Sequence, residues 1–247
     1  NMPSDTHPMT LLVTGILALQ NQSVFAKKYA EGMNKLDYWE PVLEDCVNLI
    51  GSLPALAAGI YRLRFNKGQR IEPKEGLDWA GNFAHMLGTE DPSGNFADLM
   101  RLFAVLHTDH EGGNASAFTC HVIGSTLSDP YYAVSGGLSS LAGPLHGLAN
   151  QETLKFLKSM MDHFGKVPDD EEIKSFVWNL LNKGRVMPGY GHGVLRCIDP
   201  RFAAFHKFGL KACPEDPLFQ MVDRLVQIVP DILLEHGKAA SPWPNID

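Results

Sequence analysis

Paired cysteines, blocks of basic residues and strand-like alternation are all missing from this sequence, and each absence removes a class of protein. The four cysteines, Cys46, Cys120, Cys197 and Cys213, are scattered singly along 247 residues. They form neither a disulfide framework nor a C-x-x-C zinc or redox site, and they resemble the thiols of a reducing compartment. Acidic and basic residues are mixed, the formal net charge is -7, and no Lys/Arg run could neutralise a row of phosphates, so nucleic acid and anionic membrane are poor partners. No apolar run approaches the ~20 residues needed to span a bilayer, and Asn1 to Pro8 carry no charged-then-apolar targeting pattern. The chain opens at Asn1 and stops at Asp247 without a finishing element, so both ends are expected to continue in a longer protein. No G-x-x-x-x-G-K-[ST] phosphate loop, G-x-S-x-G elbow or H-E-x-x-H zinc motif occurs. Gly189-Tyr190-Gly191-His192-Gly193 looks superficially like a dinucleotide fingerprint, but the third glycine and the preceding strand are lacking.

What the sequence does have is apolar residues at helical spacing almost throughout, with 45% hydrophobic content to fill a core. The reading is all-α. Ile173, Phe176, Val177, Leu180 and Leu181 form one stripe that follows the acids Asp169 to Glu172 and stops at Gly184. Asp216-Pro217 supplies an N-cap and a first-turn proline for a segment with Leu218, Met221, Val222 and Leu225 on one side, and Pro230 is expected to kink or split it. Spacing predicts further helices over 8–20, 23–33, 39–51, 54–66, 77–87, 94–109, 114–127, 131–142 and 148–163. Gly112-Gly113, Gly136-Gly137 and the stretch from Pro188 to Gly193 are the main irregular punctuation, and two of the three adjoin histidines.

Four polar clusters carry candidate chemistry: His107-Thr108-Asp109-His110-Glu111, His146 between glycines, His192 between glycines, and Asp199-Pro200-Arg201. Flanking glycines allow close approach of a ligand to the backbone. His107 and His110 share a helical face and admit a metal reading with Asp109 or Glu111; alternatively His107 packs inside and His110 caps the last turn. Separated histidines, an arginine and a late carboxylate suit carbon-acid chemistry. A carboxylate removes a weakly acidic proton, a neutral donor stabilises the enolate oxygen, and a second donor polarises the acceptor carbonyl. Arginine holds substrate carboxylates through paired hydrogen bonds.

At these residues the sequence resembles a known family. His107 to Asn114 (HTDHEGGN), Leu141 to Glu152 (LAGPLHGLANQE), Val186 to Arg201 (VMPGYGHGVLRCIDPR) and Pro242 to Asp247 (PWPNID), in that spacing, are similar to citrate synthases of the eukaryotic mitochondrial type. The resemblance implies an all-α fold with residues 1–147 in a large domain, 148–247 in a small one, and the active site in the cleft between them. It implies condensation of acetyl-CoA with oxaloacetate, then hydrolysis of citryl-CoA to citrate and CoA, with no permanently bound cofactor or metal and with the CoA thioester as substrate. It assigns His146 to the enol oxygen, Asp247 to the methyl proton, His192 to the oxaloacetate carbonyl, and His110 and Arg201 to oxaloacetate binding. Asn114 and Ser116 would orient the site, and Val186, Gly189, Tyr190, Gly191 and Arg196 would bind CoA.

A homodimer in the mitochondrial matrix is implied too. Departures from the family pattern are Ala240 in place of a lysine that assists CoA binding, with Lys238 nearby, and Gly193, Cys197 and Phe118 in place of alanine, lysine and histidine. Family members also have a portion ahead of Asn1 and two substrate-binding arginines after Asp247, so the 247-residue chain alone is expected to be inactive. A 2-methylcitrate synthase using propionyl-CoA and a noncatalytic structural member stay open as alternatives, with a metal-dependent hydrolase around His107 and His110 more distant.

Overall fold

The structure is a computed structural model that describes residues 2–3, 5–108, 112–144 and 146–247. Among these residues there are eleven α-helices and no β-strand, in two compact units, Asn1–His146 and Gly147–Asp247.

The first unit holds α1 (Pro8–Leu19), α2 (Val24–Ala30), α3 (Trp39–Arg64), α4 (Trp79–Leu87), α5 (Asn95–Leu106), α6 (Ala115–Gly124) and α7 (Pro130–Leu141). Ile16 of α1, Leu49 of α3 and Tyr131 of α7 form its buried centre, joined by Leu12, Leu53, Leu56 and Val134. Asp129 caps α7 by accepting from the backbone N–H groups of Tyr131 and Tyr132, and Pro130 occupies the first helical turn, where its missing N–H costs nothing. α6 lies along α7.

Helix α3 corrects the expectation of two helices meeting near Pro54: it runs unbroken through that proline. A proline inside a helix orphans the carbonyl four residues earlier. That carbonyl belongs to Ile50, and the Trp79 indole N–H donates to it at 2.9 Å. Buried Asp45 ties α3 to the start of α2, accepting from Ser23 Oγ at 2.6 Å and from the backbone N–H groups of Val24 and Phe25. Because the helix is continuous, Lys35–Arg64 is long and apolar enough to cross a membrane by length and composition alone, which a reading in two pieces did not register. Packing against α1, α2, α4 and α7 buries 17% of that apolar window, and Leu43, Val47 and Ile50 stay exposed.

The second unit holds α8 (Ala149–Phe164), α9 (Asp170–Asn182), α10 (Pro200–Ala212) and α11 (Pro217–His236). Its core joins Phe156 and Met160 of α8, Ile173, Val177 and Leu180 of α9, and Met221, Leu225 and Val229 of α11. Asp169 and Glu172 form a reciprocal capping box at the start of α9. Helix α11 also continues through its proline, Pro230, instead of splitting there. Helix α10 was not anticipated. It begins with Asp199 as N-cap and Pro200 in the first turn, and His206 joins it to α11 through Asp223 at 2.7 Å. Between α9 and α10 runs the glycine-rich loop, and buried Met187 pins it into the core.

Candidate functional site

Two polar assemblies contain the described candidate residues, one in each unit. In the first, Asn114 caps α6: its Oδ1 accepts from the backbone N–H of Ala117 at 2.9 Å and lies 2.7 Å from Ser116 Oγ. Ser116 Oγ in turn lies 2.9 Å from His146 Nε2. The Ser116 hydroxyl has one proton and two acceptors within reach, so its rotation sets the imidazole tautomer. Donation to His146 Nε2 leaves the proton of a neutral ring on Nδ1, free to be offered to a ligand oxygen. Donation to Asn114 reverses that arrangement. His107 is exposed at the end of α5, with Nδ1 at 2.7 Å from the Phe103 carbonyl, and so is not packed inside. His110, like Asp109 and Glu111, lies outside the described residues, and among the described residues no group of three or more His, Cys, Asp or Glu is placed to hold a metal.

The second assembly is built on the loop between α9 and α10. Gly189 and Gly191 both have φ of +77°, a left-handed conformation that only glycine adopts without strain. The loop pairs with the C-terminal tail: the Asn245 N–H donates to Gly189 O at 2.9 Å, and Tyr190 forms an isolated antiparallel bridge with Pro244. Burial pushes the Tyr190 phenol well above its ordinary pKa, so it stays protonated. His192 Nδ1 accepts from the N–H groups of Val194 and Leu195, each at 3.1 Å. The neutral ring therefore carries its proton on Nε2, as a donor should. Arg196 is exposed and folds back on the loop, donating through Nη1 to the carbonyls of His192 and Leu195.

At the start of α10, Arg201 is held by Asp199. The guanidinium Nη2 reaches Asp199 Oδ2 at 2.8 Å, and Nε lies 3.1 Å and 3.2 Å from the two oxygens. The Asp199 side chain is 1% exposed. Burial alone would raise its pKa, but the Arg201 side chain and the backbone N–H groups of Arg201 and Ile246 outweigh that and hold the carboxyl below the usual range. Arg201 is pushed up by the Asp199 hydrogen bond and by the Asp199 and Asp247 charges. A depressed carboxylate stabilises the fold at all pH values above its unfolded pKa of ~3.9, and that contribution fades as pH falls through the lower folded value. The stability gap between wild type and Asp199→Asn is thus expected to be constant near neutrality and to shrink below about pH 4. Urea midpoints of both proteins across pH 3 to 7 would measure it.

A cavity of about 400 Å³ opens beside this loop, lined in part by Arg185, Val186, Met187, Tyr190, Gly191 and Lys238. Of the expected CoA residues, Val186, Tyr190 and Gly191 line it, whereas Gly189 and Arg196 do not. Ala240, where the resemblance leads one to expect a lysine, lines it as well. The second unit therefore gathers Arg201, the loop and the tail bearing Asp247, and the first gathers Asn114, Ser116 and His146. Sequence reasoning gave Asp199 and Asn245 no task. The signal for Asp199 was present in the Asp-Pro pair, the same cap signature that marks Asp216-Pro217.

A family model described as "Citrate synthase, C-terminal domain" matches residues 1–247. The chain belongs to the citrate synthase family. It is 52% identical over 246 residues to a protein of Daucus carota named "Citrate synthase, mitochondrial" and 50% identical over 246 residues to "Citrate synthase 4, mitochondrial" of Arabidopsis thaliana. These alignments take in 100% of the chain and 52% of each relative, so the chain spans about half the length of the curated relatives it matches. Among solved structures, that of citrate synthase from Pyrobaculum aerophilum superimposes with a TM-score of 0.80 at 27% identity, covering 98% of this chain and 59% of that one. The all-α citrate synthase fold expected from the sequence is the fold found.

Proposed function

We propose that the whole protein to which this chain belongs condenses acetyl-CoA with oxaloacetate and hydrolyses the resulting citryl-CoA, releasing citrate and CoA. The observation that carries the reading is the Arg201–tail assembly within a citrate synthase family chain: an arginine partly shielded from water, a buried carboxylate that orients it, and the Asp247 charge beside it. Asp247 takes a proton from the acetyl methyl group, and the C–H electron pair becomes the enolate double bond. His146 steadies the enolate oxygen with a hydrogen bond. The enolate carbon attacks the keto carbon of oxaloacetate, and the carbonyl electron pair moves to oxygen, which receives its proton from His192 Nε2. Arg201 and His110 hold oxaloacetate, Arg201 through paired hydrogen bonds. Water then cleaves the thioester, giving a carboxylate and a free thiol.

Asn114 and Ser116 serve this scheme by settling which nitrogen of His146 carries the proton. CoA lies along the loop of Val186, Gly189, Tyr190, Gly191 and Arg196, with the 400 Å³ cavity for its nucleotide end. Arg185 and Lys238 on the cavity wall suit its phosphates. The reading takes residues 1–147 as part of a large domain and 148–247 as a small domain, and places the protein in the mitochondrial matrix, in keeping with relatives named mitochondrial. A second copy as partner suits the exposed Phe118 and Val122, one turn apart on α6, and Tyr132 on α7.

Thiol release from acetyl-CoA by the purified whole protein, dependent on oxaloacetate, is the test. Turnover with acetyl-CoA well above that with propionyl-CoA supports the assignment, and the opposite preference makes the protein a 2-methylcitrate synthase. Absence of thiol release with either thioester overturns the catalytic reading.

A further inference from the structure

We propose that Asp199 is a positioning residue that fastens two functional elements, Arg201 and the tail ending in Asp247, into one register. The inference rests on the catalytic reading above for its kinetic consequences but on geometry alone for the tie itself. Asp199 sits at the junction of both elements. Toward α10 its carboxylate accepts from the Arg201 backbone N–H at 2.9 Å and grips the guanidinium through Nε and Nη2. Those bonds leave the two Nη1 N–H groups and the second Nη2 N–H of Arg201 without a partner among the described residues, and they are the donors left to meet a substrate carboxylate. Toward the tail, Asp199 Oδ2 accepts from the Ile246 N–H at 3.1 Å, and the Asp199 N–H donates to Pro244 O at 3.2 Å. One carboxylate oxygen is therefore shared between the arginine and the backbone of the residue that precedes Asp247.

Capping a helix end requires only one acceptor, and asparagine caps as well as aspartate. A cap alone explains neither the charge of Asp199 nor its burial. Both are explained by a carboxylate whose Oδ1 takes the Arg201 backbone N–H and Nε while its Oδ2 takes Nη2 and the Ile246 N–H, because only an ionised carboxylate presents two oxygens that both accept. An amide offers one acceptor and a donor: keeping the cap, its oxygen stays on the Arg201 backbone N–H and Nε, and both Nη2 and the Ile246 N–H then face an N–H group.

The test is Asp199→Asn in the whole protein, read by kinetics and by amide hydrogen exchange. We expect KM for oxaloacetate to rise and kcat to fall at least about tenfold, since misplacement by ~1 Å can cost ~10²-fold. Exchange at the Ile246 N–H should accelerate while α10 amides stay protected. Ile246→Pro leaves Asp199 and Arg201 intact and removes the tail donor together with the Ile246 side chain. It should lower kcat with little change in the oxaloacetate KM, and it keeps the proposal testable should Asp199→Asn not fold. In an Arg201→Gln background, adding Asp199→Asn should still lower kcat. Unchanged exchange at Ile246, or no further loss in that background, overturns the proposal. If the wild type releases no thiol, the catalytic reading falls, while the exchange measurement still decides whether Asp199 holds the tail.

Discussion

Replacing Asp247 with asparagine is expected to lower kcat of the whole protein about a thousandfold, in the middle of the 10²–10⁴ range for a positioned acid or base. The substitution keeps the shape of the side chain and removes its ability to take a proton. The backbone stays as it is: the Asp247 N–H donates to Asn245 Oδ1 at 2.9 Å, and Asn245 is fixed to Gly189. The tail should therefore remain in place, and the loss should fall on proton abstraction. Exchange of the acetyl-CoA methyl protons with deuterated water, measured with oxaloacetate present, should slow in parallel with thiol release. The KM for oxaloacetate should change less, because the Asp247 charge acts on Arg201 but its loss leaves the Asp199 grip untouched. A variant retaining a tenth or more of wild-type kcat would mean that another group takes the proton.

Much of this was visible in the sequence because helices with continuous apolar stripes report themselves. The stripe from Ile173 to Leu181, opened by acids and closed by Gly184, became α9 with its capping box. Failures came where a tertiary contact compensated for a local rule. Pro54 breaks α3 on local grounds, and only the Trp79 indole, 29 residues from Ile50, makes continuation acceptable. Helix α10 buries little beyond Gly209, so its apolar periodicity was faint although its cap was in plain view. At the site, histidines between glycines were conspicuous. Asp199 stood out only within the Asp199-Pro200-Arg201 cluster, without a role of its own, because its hold on Ile246 joins positions 47 residues apart.

Gly137 bears on the same chemistry from the other unit. A methyl group there would lie 2.3 Å from Cys120 Sγ and 3.0 Å from the Ser116 carbonyl oxygen. The sulfur can rotate only by giving up its contact with Ala133 O at 3.2 Å, and the carbonyl is backbone, so α6 itself must move away from α7. At Gly136, the neighbouring position of the same helix, an added methyl meets the Ile123 Cδ1 end of a flexible side chain, which can swing aside. Both replacements by alanine gain the same helix propensity, ~1 kcal/mol, so their difference isolates packing. Gly137→Ala is expected to be less stable than Gly136→Ala by ~1–3 kcal/mol, the usual cost of overfilling a packed site. Denaturant midpoints would show it.

Because the displaced backbone is that of Ser116, the damage should also reach His146 Nε2, 2.9 Å from the Ser116 hydroxyl. A shift of a few tenths of an ångström there would misalign the ring with the partner that sets its tautomer, and kcat should fall by less than the ~10²-fold that a ~1 Å misplacement costs. Gly136→Ala should stay close to wild type in kcat. The Ser116→Ala variant should reproduce the kinetic loss of Gly137→Ala without its loss of stability, which separates a disturbed donor from a disturbed fold. Equal kcat in the two glycine variants would show that α6 does not carry the position of Ser116 to the imidazole.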